Sequence, residues 1–295
     1  MTWKRVATAV VLIPLVVGLV RWGPTAVLSL VLALVIVLAL FEYFSLGDAI
    51  GHRGYRFWTA TCALILVYVT WLSAMESRWK EVGEGAGRLQ NIEHWFGRLP
   101  SIADVFFVFV LGVAALTVWS KRPLVEALPA AGMSSSGLLL IAFPLTYGLK
   151  LHAQGQYGPW LLMFALVITW VGDSVAYFVG RATGRFPLAP QISPKKTWEG
   201  SISGFLGSLA AGAAFIYVLP LSLAQLLGMA AAGSIVGQVG DLLESAYKRS
   251  AGVKDSGGLL PGHGGILDRI DALILTFPVV WYYWECIWHS ASGIP

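Results

Sequence analysis

Residues 25–41, TAVLSLVLALVIVLALF, form a run of 17 residues without a charged side chain. As a helix, such a run comes close to crossing the hydrocarbon core of a bilayer, which is about 30 Å thick. Further apolar stretches, some only marginally long, cover residues 6–20, 57–75, 104–119, 136–149, 159–179, 201–219, 223–240 and 270–288. The sequence therefore predicts about nine transmembrane helices.

The composition excludes an ordinary soluble domain. Of the 295 residues, 57% are hydrophobic and 12% are charged, whereas about 25% of the residues of a soluble domain are charged. We expect an all-α polytopic membrane protein, a single integral-membrane domain over residues 1–295, with a polar funnel that faces the cytoplasm. The net charge of +4 is small. Basic residues in cytoplasmic loops account for it, so no nucleic-acid partner is expected.

Lysine and arginine residues set the expected orientation. With a cytoplasmic N-terminus, most of them fall in inner loops, as the positive-inside rule predicts. The polar segments 180–200 and 241–271 then share the cytoplasmic side, where nucleotides are found. Residues 76–103 form a long external loop, interpreted as a solvated connection, with a partner contact or a short surface helix as alternatives. The expected location is a bacterial inner (plasma) membrane.

A polar block near the C-terminus interrupts the apolar pattern. Residues 245–271 read SAYKRSAGVKDSGGLLPGHGGILDRID. In a helix that enters this block, one stripe about 100° wide carries Asp241, Ser245, Lys248 and Arg249. Charged groups are costly beside lipid, so this stripe indicates a functional site. Glu244 lies on its flank and is a secondary candidate for the site, although we expect a solvated glutamate at the helix end.

Asp268 and Asp271 are three residues apart at the start of the last predicted helix, which places both on one face. Together with Asp241 from the preceding helix, they form a candidate site for a divalent cation, because hard cations prefer carboxylate oxygens. In the alternative interpretation, they only stabilise the positive end of the helix dipole, and Arg269 neutralises them.

A glycine-rich loop connects these two helices and surrounds Pro261 and His263. Backbone amides in such loops, together with a lysine, can cradle phosphate. The candidate substrate-binding residues here are Lys254, Asp255, His263, Gly264 and Gly265. His263 could equally orient a carboxylate or cap the turn.

A second polar segment, residues 188–200, reads LAPQISPKKTWEG. We expect Ser193 and Pro194 to begin a turn, and Lys195, Lys196 and Thr197 to clamp a triphosphate or a lipid headgroup. The alternative is a membrane anchor, in which the lysines contact anionic lipid and Trp198 lies in the interface.

Two features upstream and downstream of this segment also call for an explanation. Asp173 is a carboxylate within an apolar run, and such a group needs a partner or a task. Gly200, Gly204, Ser208 and Gly212 recur every four residues. This spacing indicates close helix packing or a dimer seam.

These motifs resemble the signature of the phosphatidate cytidylyltransferases, also called CDP-diacylglycerol synthases. The family pattern is a serine, two residues, Lys-Arg, then Lys-Asp, a glycine-rich stretch with Pro-x-His-Gly-Gly, and Asp-Arg-x-Asp. Here it falls on Ser245, Lys248, Arg249, Lys254, Asp255, Pro261, His263, Gly264, Gly265, Asp268, Arg269 and Asp271. Tyr247 departs from it, since the family more often has an aliphatic residue or Phe there. The resemblance also covers ISPKKTWEG, DSVAYFVGR and the basic N-terminal helix, but not the external loop.

The resemblance implies that CTP and phosphatidic acid react to give CDP-diacylglycerol and pyrophosphate. It also implies a Mg²⁺ requirement, assistance by a monovalent cation such as K⁺, and a homodimer in the membrane. The catalytic set would be Asp241, Ser245, Lys248, Arg249, Asp268 and Asp271, with the metal on Asp241, Asp268 and Asp271. Substrate would bind Asp173, Ser193, Lys195, Lys196, Thr197, Lys254, Asp255, His263, Gly264, Gly265 and Arg269.

Two other classes of protein are compatible with the residues. A transporter could place charges in a membrane core, but such sites typically lie near the midplane, whereas these crowd a cytoplasmic mouth. The closer alternative is another lipid enzyme that consumes a nucleotide, either a related lipid cytidylyltransferase or a lipid kinase.

Overall fold

The computed structural model describes residues 2–82, 99–258 and 264–292, and side chains within residues 10–76, 99–258 and 264–287. The helices in these ranges are α1 (Thr2–Trp22), α2 (Thr25–Ala49), α3 (Arg56–Val82), α4 (Ile102–Trp119), α5 (Leu124–His152), α6 (Gly155–Thr183), α7 (Trp198–Tyr217), α8 (Leu223–Ser250) and α9 (Leu267–Ser292). A small antiparallel hairpin, β1 (Pro187–Ala189) and β2 (Ser193–Thr197), separates α6 from α7.

The architecture confirms an all-α polytopic membrane protein. Within the described residues, the eight helices α2 to α9 each contain a stretch long and apolar enough to cross a membrane, and α1 adds a shorter apolar stretch, Val10–Trp22. Each of the nine predicted spans corresponds to one of these helices. Most of the predicted external loop, residues 83–98, lies outside the described residues, and α3 continues into its first part as far as Val82.

The helices near the site extend beyond the predicted spans. α8 runs to Ser250, ten residues past its predicted end at 240, and α6 runs to Thr183. The added turns of α8 are polar but keep helical geometry, and Lys248 and Arg249 lie in the last turn, where cations interact favourably with the helix dipole. Hydropathy marks the apolar part of a helix, so it misses a polar continuation.

Helices α6 and α7 pack closely along a stripe of small residues. Gly200, Gly204, Ser208 and Gly212 are all buried. The Ser208 hydroxyl donates to the Ile168 carbonyl across 2.8 Å, and a Cβ at Gly204 would lie 2.8 Å from the Gly172 carbonyl oxygen. The four-residue repeat therefore serves helix packing inside one chain, the first of the two predicted explanations.

A second close contact joins the antiparallel helices α8 and α9. Thr276 donates to the carbonyl of Gly233 across 3.2 Å. About two helical turns further along α8, a Cβ at Gly240 would meet the Asp271 carbonyl oxygen at 2.5 Å. The absence of side chains at these glycines brings the backbones together and places Asp241 beside the first turns of α9.

We expect the substitution Gly204→Leu to lower the free energy of unfolding by about 1–3 kcal/mol or more, since overpacking forces α6 and α7 apart. The matched control is Gly132→Leu in α5, where a Cβ would meet nothing within 4 Å. Thermal unfolding in detergent would compare the two variants. Equal midpoints would contradict the packing role of the stripe.

Candidate active site

The segment between α6 and α7 is a hairpin, which corrects the predicted turn at Ser193 and Pro194. Both residues lie in β2, and the turn occupies residues 190–192. Neighbouring side chains alternate between the two faces of a strand. Accordingly, Lys195 is exposed, whereas the ammonium of Lys196 turns inward and forms an ion pair of 2.5 Å with the Asp241 carboxylate.

Thr197, the last residue of β2, is the N-cap residue of α7. Its hydroxyl accepts a hydrogen bond from the amide of Gly200 and so caps the helix. Glu199 in the first turn of α7 accepts from the amides of Arg185 and Phe186, which ties β1 to the helix. These contacts fix the hairpin relative to α7 and hold Lys196 over Asp241.

Three aspartates on three helices form the centre of the site. Asp271 of α9 interacts electrostatically with Asp241 of α8 and with Asp173 of α6. Asp173 also interacts with Lys196 and with Arg269 of α9. The structure thus brings together five of the predicted site residues, and the intramembrane Asp173 has its charged partners here. We call this set the aspartate cluster: Asp173, Asp241, Asp271, Lys196 and Arg269.

The aspartate cluster lies well before the C-terminal ends of α6 and α8. Asp173 is ten residues before the end of α6 and Asp241 nine before the end of α8, or about 14–15 Å along each helix axis. Asp271 is only four residues after the start of α9. Because Asp271 is level with Gly240, α9 begins close to the depth of the aspartate cluster and well before the C-terminal end of α8.

Asp268 makes a different set of contacts from the aspartate cluster. Its Oδ1 accepts from the Lys248 ammonium at 2.5 Å. Its Oδ2 accepts from the Ser256 amide at 3.0 Å, the Ser256 hydroxyl at 3.0 Å and the Gly265 amide at 2.8 Å. Asp268 therefore closes the loop between α8 and α9 onto both helices.

Lys248 and Glu244 form the buried side of this network. The Lys248 ammonium pairs with Glu244 as well as with Asp268, and both residues are almost completely buried, as is Ser245. The expectation of a solvated Glu244 was wrong, because 3% of its surface is exposed. The helix continues past Glu244, and Lys248 and Asp268 lie beside its carboxylate.

The remaining predicted residues surround this network. Arg249 is exposed and donates to the carbonyls of Ile192 and Val253, so it joins the hairpin to the loop. Lys254, Asp255 and Arg269 are also exposed. Gly264 has a φ of 78°, a backbone conformation that favours glycine. Pro261 and His263 lie outside the described residues.

Glu42 of α2 is a site residue that the sequence analysis missed. Its carboxylate accepts from the Ile266 amide at 3.0 Å, the Leu267 amide at 2.9 Å and the Ser256 hydroxyl at 3.0 Å. The signal was present, since Glu42 follows directly on the uncharged run 25–41. The rule applied to Asp173, that an intramembrane carboxylate needs a partner or a task, would have identified it.

The carboxylates fit a divalent cation that also binds substrate phosphates. Within the described ranges, no three His, Cys, Asp or Glu side chains are grouped closely enough to form a complete metal site. Asp241 and Asp271 lie on the adjoining helices α8 and α9, and Mg²⁺ commonly uses one or two carboxylates together with phosphate oxygens and water. Asp268, by contrast, has both oxygens occupied by protein donors.

We expect Lys248→Met to destabilise the protein strongly, by about 3–5 kcal/mol, because Glu244 and Asp268 would remain buried without their shared cation. Lys195→Met on the exposed face of the hairpin should change stability by no more than about 0.5 kcal/mol. Denaturant unfolding in detergent measures both. Similar stability of the two variants would show that the Lys248 ion pairs contribute little.

Comparison with known proteins places these residues in a family. The profile of the Cytidylyltransferase family matches residues 3–287. The chain is 31% identical to the phosphatidate cytidylyltransferase of Haemophilus influenzae, over 95% of this chain and 98% of the relative. It is 33% identical to that of Pseudomonas aeruginosa over 99% of both chains, and 40% identical to that of Bacillus subtilis over 51% of this chain and 57% of the relative. The chain belongs to the cytidylyltransferase family.

Proposed function

We propose that this protein transfers the cytidylyl group of CTP to phosphatidic acid and forms CDP-diacylglycerol and pyrophosphate. The observation that carries the proposal is the aspartate cluster, in which three carboxylates and two cations from α6, α8, α9 and the hairpin converge. The names of the full-length relatives support the same reaction.

The chemistry requires two polyanions to meet. An oxygen of the phosphatidate phosphate attacks the α-phosphorus of CTP in line, a new P–O bond forms, and the bond to the β-phosphate breaks with its electron pair on pyrophosphate. The attacking phosphate is already ionised near neutral pH, so no general base is needed. The barrier is mainly electrostatic, and preorganised charge lowers it.

The family implies a divalent metal, and we propose Mg²⁺ held by Asp241 and Asp271. When bound, it neutralises phosphate charge in the nucleotide. Asp268 is the third ligand proposed from the sequence. It can serve only by exchanging one of its present hydrogen bonds, so its contacts support first of all the placement of Lys248 and the loop. A monovalent cation such as K⁺ remains part of the proposal through the resemblance alone.

The cations of this chain have two proposed tasks. Lys195, Lys254 and Arg269 are exposed around the mouth and would bind the CTP phosphates and the departing pyrophosphate. Lys196 forms its ion pair with Asp241 and would move from carboxylate to phosphate as the nucleotide enters. Lys248 and Arg249 hold the loop and hairpin in place through their present contacts.

The surroundings of the site fit a lipid substrate. The helices around it are long and apolar, so phosphatidic acid can approach from the bilayer while CTP arrives from the aqueous mouth. We propose that the protein lies in a bacterial inner membrane and that the mouth of the site opens to the cytoplasm. The distribution of lysine and arginine residues favours that orientation. We also propose a homodimer, as the resemblance implies.

The reaction can be tested with purified protein, radiolabelled CTP, phosphatidic acid and Mg²⁺. We expect label from the α-phosphate in a lipid-soluble product and stoichiometric pyrophosphate. Replacing CTP by ATP or GTP should abolish the product. Release of a nucleoside diphosphate with label from the γ-phosphate in lipid would instead identify a kinase.

We expect Asp241→Asn and Asp271→Asn each to lower kcat at least about 100-fold, because each removes a carboxylate from the centre of the charge arrangement. Glu126→Gln in the first turn of α5 is the matched control and should keep wild-type activity. The labelled-CTP assay measures all three, with size-exclusion profiles in detergent to verify folding. Wild-type turnover in either aspartate variant would refute the role of that residue.

A further inference from the structure

The glycine-rich loop encloses carboxylates of the protein itself. The amides of Ile266 and Leu267 donate to Glu42, and those of Ser256 and Gly265 donate to Asp268. An added Cβ would lie 2.2 Å from the Glu42 carboxylate at Gly265 and 2.5 Å from it at Gly257. The glycines therefore let the backbone close around Glu42. The sequence had suggested that these amides cradle substrate phosphate.

We propose that Glu42 is a positioning residue for the active site, an internal anion that sets where the loop ends and where α9 begins. Two of its bonds go to the last residue before α9 and to the first residue of α9, Ile266 and Leu267. The first amides of a helix have no partner within the helix, and a negative charge there also interacts favourably with the helix dipole.

The hydrogen bond between Glu42 and Ser256 links Glu42 to Asp268, the second carboxylate that the loop encloses. The Ser256 hydroxyl lies 3.0 Å from both Glu42 Oε2 and Asp268 Oδ2. Asp268 in turn holds Lys248. Glu42 therefore contacts the loop both at Ser256 and at its junction with α9. Asp271 lies one turn after Asp268 in α9. A shift of α9 would move Asp271 relative to Asp241.

Helix α2 also contacts α8 directly beside Glu42. Tyr43, the next residue, packs edge to face against Tyr247 of α8, with ring centroids 5.9 Å apart. Tyr247 is the one residue at which the signature departs from the family pattern. Through Tyr43 and Glu42, α2 contacts the two helices that carry Asp241 and Asp271.

The inference rests on the proposed function, and it predicts a specific kinetic outcome. Glu42→Gln keeps one acceptor oxygen but presents an amide to N–H donors. We expect kcat to fall about 10- to 100-fold, since small misplacements of catalytic groups have effects of this size, and KM for CTP to rise. If Glu42 instead competed with substrate phosphate for the loop amides, the same variant would bind CTP more tightly, and a lower KM would overturn the proposal.

A second readout needs no substrate and so separates this inference from the proposed reaction. Hydrogen–deuterium exchange of the intact protein in detergent should show faster exchange at residues 264–272 in Glu42→Gln than in the wild type. Unchanged exchange there would overturn the positioning role, whatever reaction the protein catalyses. If the wild type forms no CDP-diacylglycerol while the exchange changes as expected, the proposed function is wrong, but the positioning role of Glu42 is supported.

The matched control is Asp48→Asn, which removes another carboxylate from α2. Asp48 pairs with Arg56 and, within the described residues, makes no hydrogen bond to the loop, so kinetics and exchange at 264–272 should stay within about twofold of the wild type, as is usual for substitutions remote from a site. Equal effects of both variants would show a general role of α2 in stability and overturn the proposal. Failure of Glu42→Gln to fold would do the same.

Discussion

The ion pair between Lys248 of α8 and Asp268 of α9 is the interaction on which the site depends. It joins the two helices that flank the glycine-rich loop, and both partners are largely shielded from water. Shielded charges attract strongly but are costly when unpaired, so the pair is maintained by further contacts. Glu244 provides the second carboxylate for the ammonium, and three loop donors occupy the other oxygen of Asp268.

Carboxyl groups outnumber cationic groups in both parts of the site. In the buried network, Glu244 and Asp268 share the ammonium of Lys248, whereas hydroxyl and amide donors of the loop bind Glu42. In the aspartate cluster, three carboxylates meet Lys196 and Arg269. Mutual repulsion among the carboxylates of the aspartate cluster supports the divalent cation and the nucleotide that we propose for it. The two parts thus differ in the groups around their carboxylates, which are Lys248 and loop donors in the first and Lys196 and Arg269 in the second.

Close packing of helix backbones makes this arrangement of charge geometrically possible. Gly240 allows α8 to contact the α9 backbone at Asp271, and Gly204 allows α7 to approach α6. The hydrophobic effect does not drive helix association within lipid. Small residues and interhelical hydrogen bonds, such as that from Thr276 to the Gly233 carbonyl, therefore become important. The same glycines that stabilise the bundle bring Asp173, Asp241 and Asp271 within electrostatic reach of one another.

Much of this protein could be predicted from local sequence. Hydrophobic runs predict membrane helices because each helix satisfies its own backbone hydrogen bonds within lipid, and all nine predicted spans are helical. The stripe with Asp241, Ser245 and Lys248 was predictable because helical periodicity is a local property. The hairpin was not, since β1 and β2 are short and depend on each other for pairing.

The distribution of partners among the charged residues was decided by the tertiary structure alone. Nothing near Glu42 in sequence indicates that its acceptors serve residues 214 and 225 positions away, or that Asp268 pairs with Lys248 while Asp271 faces Asp241. The sequence by itself determined which segments enter the membrane and which side chains carry charge into it. Their pairing followed only from how the helices pack, because the energy of a buried charge depends on the groups that surround it in space.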